Sequence, residues 1–238
     1  QDGFPSVIHG KVHHEETRAT ASQALKFPAG RYLVVFDKAE TRVACDYIRD
    51  GGDPHAFLSR FGAAASDGFD PDRDLVRIGL ANQTTLLMSE SLEIAELLKA
   101  AVLDRYGAIE LANHYRAFDT ICSATEDRQD AVIRLLEDHA IDLMLVIGGY
   151  NSSNTANLAR ICAGRVPTYH MADNDCLVSA DEIRHKPVGV KTETTTRGWF
   201  PAGGAVAVGL TAGASTPDNS VGAAILKLEY FSSSPGVR

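Results

Sequence analysis

The sequence is poor in cysteine and lacks the short signatures on which many enzyme classes depend. Its 238 residues include four cysteines, none in a C-x-x-C pair, which excludes zinc ribbons, ferredoxin-type runs and thioredoxin motifs. Four cysteines in a chain of this length do not indicate a disulfide scaffold, so a reducing compartment is expected. No G-x-S-x-G, P-loop or dinucleotide-binding glycine pattern is present, which excludes the corresponding hydrolase and nucleotide sites.

Long apolar runs and an excess of positive charge are missing as well. No run approaches the roughly 20 residues that span a bilayer, so no membrane segment is predicted. The net charge is −8 and the pI is about 5.4, which disfavours a general nucleic-acid or anionic-membrane surface. Residues 1–5 include neither an initiator methionine nor a signal-peptide pattern. We therefore expect the chain to be part of a longer protein.

The sequence does contain apolar strands that alternate with amphipathic helices. The predicted strands are 32–36, 143–147 and 205–208, with a weaker one at 76–80. The predicted helices are 89–105 (with Ser89 as N-cap), 125–139 and 154–163. This alternation predicts an α/β fold with buried parallel strands. Residues 51–74 are interpreted as a surface insertion, and 171–203 show no clear pattern.

Three of these strands are followed by loops rich in small hydroxyl and amide residues, at 81–85, 148–154 and 211–217. Ligands of open α/β sheets bind at the carboxyl ends of strands, and a helix that begins there offers free N–H groups to an anion. Three such loops on one edge would form a site for a phosphate-like ligand. The alternative is that Ser, Asn and Gly are simply favourable turn and cap residues.

The segment 9–17 concentrates three histidines, a lysine and two glutamates around a predicted strand-to-helix turn. Such a cluster can bind anions, transfer protons or hold a metal ion. It is not an H-E-x-x-H motif, because Arg18 stands in place of the second histidine, which disfavours a zinc protease. Alternatively, the segment is a solvated helix N-terminus with acidic residues in its first turn.

Cys122 precedes a predicted helix, where a thiol can act as a nucleophile or a metal ligand. A free cysteine is otherwise most often a small core residue. That second interpretation is the one we adopt for Cys45 and Cys162, which lie inside helical patterns, and for Cys176 in an irregular acidic stretch.

Five motifs, in this order, resemble the 4-hydroxy-3-methylbut-2-enyl diphosphate reductase family. They lie at 9–17, 82–85, 120–131, 148–154 and 211–218. The resemblance runs from about residue 7 to about residue 227, and Thr-Ile-Cys followed by Asn-Ser-Ser-Asn is highly specific to the family. The His-Gly-Lys form and the insertion at 51–74 resemble the plant, algal and cyanobacterial branch.

The resemblance implies three similar α/β domains, with small parallel sheets, around a central 4Fe-4S cluster held by one cysteine from each domain. Residues 1–118 would form the second domain, without its first elements, and 119–238 the third domain. Cys122 is implied to be the third-domain ligand, so only one of the three cysteine ligands lies in this chain. The other two are implied to precede it.

The same resemblance assigns roles to individual residues. Glu16 is implied to anchor proton delivery to the hydroxymethyl end of the substrate. Thr84 is implied to support this delivery and to bind the substrate, and His14 to contact the diphosphate. The other implied diphosphate ligands are Ser152, Ser153, Asn154 and Ser215.

The implied activity is reductive dehydroxylation of 4-hydroxy-3-methylbut-2-enyl diphosphate to isopentenyl and dimethylallyl diphosphate, the last step of the non-mevalonate (MEP) isoprenoid pathway. The implied electron donor is a ferredoxin-type protein, and the implied compartment is the plastid stroma, or the cytoplasm in a cyanobacterium. Neither nucleic acid nor a membrane is an expected partner. We expect the chain by itself to be inactive and marginally stable, because a missing domain exposes apolar surface. The alternatives are a non-catalytic phosphate-binding α/β module of the same family and a generic α/β enzyme.

Overall fold

Two parallel β-sheets organise the chain, one in each half. The computed structural model describes residues 3–117, 123–201 and 205–233. The chain divides into two compact units, Gln1–Cys122 and Ser123–Arg238. In each unit strands alternate with helices, which confirms the predicted α/β class with small parallel sheets. The assignment of 1–118 and 119–238 to the second and third family domains stays a prediction.

The first unit is a parallel sheet in which three neighbouring strands end at one edge. Its elements are β1 (Ser6–His9), α1 (Glu15–Ala24), β2 (Tyr32–Val35), α2 (Lys38–Asp50), α3 (Pro54–Phe61), α4 (Pro71–Asp74), β3 (Ile78–Asn82), α5 (Met88–His114) and β4 (Tyr115–Ala117). The strand order is β2-β1-β3-β4. His9 pairs with both Val35 and Asn82. The turn after β1 and the loop after β3 are therefore neighbours.

The helix predicted at 89–105 forms, but its predicted cap is wrong. Helix α5 begins at Met88, and Leu87 takes the N-cap position without a side-chain hydrogen bond. Gly107, with φ of 78°, interrupts the helix two residues after the predicted end. Glycine adopts this left-handed conformation without the steric cost of a Cβ atom.

Residues 51–74 are more than a surface insertion, because their aromatic side chains enter the core of the first unit. Phe57, Phe61 and Phe69 are buried. The first two stand four positions apart on α3, and the ring of Phe57 lies 4.8 Å from that of Tyr47. Apolar residues at this spacing share one helix face, so α3 is held by packing as well as by its turns.

The second unit is built around one fully buried strand. Its elements are α6 (Ser123–Asp138), β5 (Leu143–Ile147), α7 (Ser153–Ala163), β6 (Thr168–Met171), β7 (Glu182–His185), β8 (Thr194–Arg197), β9 (Val208–Ala212) and α8 (Asp218–Ser233). The parallel order is β6-β5-β9, and β7 and β8 form an antiparallel hairpin. Every residue of β5 is buried, as expected for a strand covered on both faces.

Two predicted strands are displaced towards the C-terminus. The strand predicted at 205–208 is wrong for most of its length, because β9 spans Val208–Ala212, and the strand predicted at 76–80 is Ile78–Asn82. In β9, Gly209 pairs with Met144 of β5, and a Cβ atom there would collide with the Met144 sulfur. The register is therefore set by pairing and packing against the central strand rather than by the most apolar run.

The stretch 171–203 contains the β7–β8 hairpin. Ile183 pairs with Thr196 across it, and the Trp199 indole that follows is buried and donates a 2.9 Å hydrogen bond to the Ser179 carbonyl. Among the described residues, no helix is long and apolar enough to cross a bilayer.

Candidate functional site

The three loops predicted to share one edge are divided between two sheets. The loop after β3 belongs to the first unit, whereas the loops after β5 and β9 belong to the second. Within the second unit, Ile147 pairs with Ala212, so those two loops leave the sheet side by side. The expectation of a single sheet edge is therefore wrong, because the strands belong to separately paired sheets.

In the first unit, the Glu16 carboxylate is held by the loop after β3. Thr84 donates its hydroxyl to Glu16 Oε2 at 2.6 Å, and Thr85 donates to the same oxygen at 3.4 Å. Glu16 is half-buried at the start of α1. Two hydroxyl donors on one oxygen fix the direction of the carboxyl group.

Gln83 links the turn after β1 to the loop after β3. Its Oε1 accepts from the Lys11 backbone N–H at 3.1 Å and from the Thr17 hydroxyl at 3.2 Å. Its Nε2 donates to the Thr85 hydroxyl at 2.9 Å. Gln83 is fully buried, and its amide accepts at one end while it donates from the other. No individual role for Gln83 was predicted. The sequence signal that could have indicated a role is that Gln83 immediately precedes the two threonines of this loop.

His14 is the N-cap of α1, with φ of −75° and ψ of 139°. Its Nδ1 accepts from the Glu16 backbone N–H at 3.3 Å. The neutral imidazole therefore carries its proton on Nε2. Segment 9–17 therefore contains a capped helix N-terminus with acidic residues in its first turn, as the alternative interpretation predicted. The cap also fixes the orientation of the His14 ring.

The three histidines of segment 9–17 do not form one cluster. His9 is fully buried in β1, and its Nδ1 lies 3.0 Å from the Ser91 hydroxyl. Burial lowers the pKa of His9, against a raising effect of Glu90. His13 is exposed, whereas His14 caps α1. His9 is therefore a core residue of the strand, whereas His14 lies at the start of the helix.

In the second unit, the N-terminus of α7 meets the end of β5. Ser152 is the N-cap, and its hydroxyl accepts from the Thr155 backbone N–H at 3.2 Å. Ser153 and Asn154 form the first helical turn and are both buried. Free N–H groups and the positive end of the helix dipole favour an anion at such a position.

Asn154 is the most informative residue of this turn. It is 3% exposed, and neither its Oδ1 nor its Nδ2 has a hydrogen-bond partner among the described residues. A buried unsatisfied polar group costs about 1–3 kcal/mol, and native proteins keep few of them. Its amide therefore has the properties of a group whose partner comes from outside the described chain, such as a bound ligand.

Two glycines, Gly148 after β5 and Gly213 after β9, let both loops pack closely against Thr155 of this turn. A Cβ atom on Gly148 or Gly213 would collide with the Thr155 hydroxyl. The Thr216 hydroxyl donates to the Ile147 carbonyl at 3.0 Å. Gly148 also has φ of 149°, in the region that favours glycine. The two loops are therefore fixed relative to one another.

The predicted residues fall into two groups. His14, Glu16 and Thr84 are brought together in the first unit. Ser152, Ser153, Asn154 and Ser215 lie on the two adjoining loops of the second unit, with Ser215 exposed beside Thr216.

Cys122, the predicted cluster ligand, lies outside the described residues. The other three thiols are free and buried. Burial raises the pKa of Cys45 to about 11 and that of Cys162 to about 12, which opposes the thiolate form that binds metals. Within 3–117, 123–201 and 205–233, no group of three or more His, Cys, Asp or Glu could hold a metal ion. The described side chains therefore do not by themselves fit an iron–sulfur cluster.

Comparison with known proteins places this geometry in a family. A family model described as LytB protein matches residues 1–229. A 4-hydroxy-3-methylbut-2-enyl diphosphate reductase from Gloeobacter violaceus is 51% identical over 226 residues, covering 94% of this chain and 52% of the relative. A protein of the same name from Parasynechococcus marenigrum is 50% identical over 231 residues, covering 96% and 56%.

A solved structure shows the same fold. The E-1-hydroxy-2-methyl-but-2-enyl-4-diphosphate reductase from Plasmodium falciparum matches with a TM-score of 0.56 at 18% identity, covering 99% of this chain and 54% of that one. The chain spans about half the length of the curated relatives it matches. Because the family model matches nearly the whole sequence, the chain belongs to the LytB protein family.

Proposed function

We propose that this chain is the part of a 4-hydroxy-3-methylbut-2-enyl diphosphate reductase that carries its diphosphate loops and its proton-delivering carboxyl group. The reaction removes the substrate hydroxyl as water, consumes two electrons and two protons, and yields isopentenyl or dimethylallyl diphosphate. The shared name of relatives at 50 and 51% identity supports this substrate. Because the chain spans about half their length, the reaction is proposed for the complete protein.

The unsatisfied amide of Asn154 carries the proposal. It is buried at the N-terminus of α7, two positions after the capping residue Ser152, and the adjoining loop after β9 carries the exposed Ser215. Diphosphate oxygens would accept from its Nδ2 and from backbone N–H groups of the first turn. Ser152, Ser153 and Ser215 would add hydroxyl donors, and the family resemblance separately assigns His14 a diphosphate contact. Short neutral donors fix an anion in place and thereby hold the reacting end of the substrate in position.

Glu16 is proposed to supply the proton that the departing hydroxyl oxygen takes up. A general acid must be held within hydrogen-bond reach of the atom that it protonates. The 2.6 Å contact with Thr84 supports this role, because it fixes one carboxyl oxygen and couples it to a hydroxyl on the neighbouring loop. Thr84 would then hold the substrate hydroxyl and the Glu16 carboxyl in a single hydrogen-bonded chain.

The proposal extends to a 4Fe-4S cluster, which would supply the two electrons, with Cys122 as one of its three cysteine ligands. A ferredoxin-type protein is the proposed donor. The proposed compartment is the plastid stroma or, as the cyanobacterial origin of the relatives supports, the cytoplasm of a cyanobacterium.

The test uses the complete protein, with the portion that this chain lacks, purified without oxygen as wild type, Cys122→Ser and Cys45→Ala. We expect about four irons per chain and reductase activity in the wild type. Cys122→Ser should lose both, whereas Cys45→Ala, a substitution of a buried core thiol, should keep both. An iron content that is indifferent to Cys122→Ser would remove the ligand assignment.

The non-catalytic phosphate-binding module is distinguished in the same experiment. Calorimetric titration with inorganic pyrophosphate should show binding under either hypothesis. A complete protein that binds pyrophosphate but holds no iron and reduces no substrate would establish the module instead of the enzyme.

A further inference from the structure

The β7–β8 hairpin contacts the loop that leads from β5 to α7, and Tyr150 makes the contact. The Tyr150 hydroxyl donates a 2.7 Å hydrogen bond to Glu193 Oε2, on the segment that joins the two hairpin strands. The other oxygen of Glu193 lies 3.5 Å from the guanidinium of Arg184, on β7. The loop is thus tied to a carboxylate that is itself held by the hairpin.

The backbone of the same loop is held at two further points. Lys186, immediately after β7, donates from Nζ to the Tyr150 carbonyl at 3.4 Å, and its ammonium lies 5.7 Å from the centre of the Tyr150 ring. His170 on β6 donates from Nε2 to the Gly148 carbonyl at 2.9 Å. The rings of His170 and Tyr150 pack nearly perpendicular to each other, with ring centres 5.1 Å apart.

These contacts hold the first half of the loop between β5 and α7, and the candidate anion site lies at the end of the same loop. Two positions separate Tyr150 from Ser152, the N-cap of α7, and Gly149 and Ser152 close a turn through a 2.9 Å backbone hydrogen bond. Gly148 and Gly149 do not stiffen the loop by themselves, because glycine restricts the backbone least. The side-chain contacts of Tyr150 therefore supply rigidity that the glycines do not.

We propose that Tyr150 is a positioning residue for the diphosphate loop and that the β7–β8 hairpin is its brace. The proposal rests on the proposed function, because it assigns the brace to the site that would hold the diphosphate. Tyr150 itself does not need to touch the substrate. A binding group must be held within a few tenths of an ångström of its productive position. A more mobile loop would therefore lower the affinity for the diphosphate.

The test compares Tyr150→Phe, Glu193→Ala and Glu193→Gln in the complete protein. Tyr150→Phe keeps the ring against His170 and removes only the hydroxyl. Glu193→Gln keeps an oxygen acceptor, whereas Glu193→Ala removes it. Glu182→Gln is the matched control, because Glu182 is on the same hairpin and pairs with Arg197 at 3.6 Å instead of with the loop.

The first readout is hydrogen–deuterium exchange of the peptide that covers 148–158, without any ligand. Amide exchange reports local opening. Tyr150→Phe and Glu193→Ala should each speed exchange about five-fold, on the order of the loss of one ordinary solvent-exposed hydrogen bond. The double variant should exchange no faster than either single variant. Glu193→Gln and Glu182→Gln should exchange within about two-fold of the wild type.

The second readout is steady-state reductase kinetics. Tyr150→Phe and Glu193→Ala should raise KM about three- to ten-fold and leave kcat within about two-fold of the wild type. Glu193→Gln should keep the wild-type KM. Exchange at the wild-type rate in both Tyr150→Phe and Glu193→Ala would overturn the proposal that the hairpin braces the loop. Faster exchange with an unchanged KM would overturn the positioning role. A wild-type protein that neither binds pyrophosphate nor reduces substrate would refute the proposed function alone, since the ligand-free exchange still decides the brace.

Discussion

Thr84 donates a 2.6 Å hydrogen bond to Glu16 Oε2, although 68 positions separate the two residues in the sequence. Parallel pairing of β1 with β3 brings them together, because His9 and Asn82 end their strands side by side. The contact between Glu16 and Thr84 therefore depends on the register of the sheet and not on the local sequence. Because strand pairing and not the Glu16 side chain holds the sheet together, Glu16 can be substituted while the fold is kept.

Glu16→Gln should lower kcat of the complete protein about 10²- to 10⁴-fold and leave KM within a few-fold. The amide can still accept from Thr84 but cannot deliver a proton. Glu15→Gln is the control, because Glu15 is exposed in the same first turn of α1. Anaerobic steady-state assays measure both variants. Turnover of Glu16→Gln at the wild-type rate would remove the proton role.

Gln83→Leu should destabilise the first unit by about 2–4 kcal/mol, because it removes the acceptor of the Lys11 N–H and of the Thr17 hydroxyl, and the donor to Thr85. Urea unfolding measures the loss. The same variant should lower kcat, since Thr85 also contacts Glu16. Equal stability of Gln83→Leu and wild type would show that these groups find other partners.

Asn154→Leu should raise the pyrophosphate dissociation constant at least about ten-fold and leave the free energy of unfolding unchanged or increased by up to about 1 kcal/mol. A polar group without a protein partner contributes to binding and not to folding. Asn151→Ala, at an exposed position of the same loop, should change neither quantity. Calorimetric titration and urea unfolding give the two numbers. A large loss of stability in Asn154→Leu would contradict the assignment, since it would reveal a structural partner.

The sequence predicts buried strands well where they are central, and poorly where pairing sets their ends. The strand at 143–147 is found as predicted, because a short run of five apolar residues is typical of a strand covered on both faces. The strand predicted at 205–208 is displaced, because the contact of Gly209 with Met144 is invisible in the apolar pattern. The β7–β8 hairpin, rich in threonine and charge, carries no apolar alternation to read.

The candidate site is predicted in parts and not as a whole. Family resemblance selected Glu16 and Thr84, which the structure brings into contact. The buried amide of Gln83 and the brace at Tyr150 were not predicted, because both act through residues that are distant in sequence. Such linking roles follow from sheet register and loop packing, which a single sequence does not reveal.

Stability should fall as the pH is lowered from about 7 to about 5, and His9→Gln should reduce the slope. Burial lowers the folded-state pKa of His9 below its ordinary value of 6.5. The unfolded chain therefore binds a proton first as the pH drops, and the stabilisation present above 6.5 is lost as the pH falls towards the folded pKa. Urea unfolding at several pH values measures the slope. Substitution of the exposed His55 by Gln should leave it unaltered.

Two glycines of the second unit should respond to alanine with opposite signs. Gly209→Ala places a methyl group against the Met144 sulfur in β9, and overpacking of this kind costs about 1–3 kcal/mol. Gly222→Ala adds a methyl group at an open position of α8, where alanine should stabilise the helix by about 0.5–1 kcal/mol. Thermal unfolding of the two variants gives the comparison. Equal and small effects would show that β9 does not pack against β5 as described, because the close approach of Gly209 to Met144 is what distinguishes the two positions.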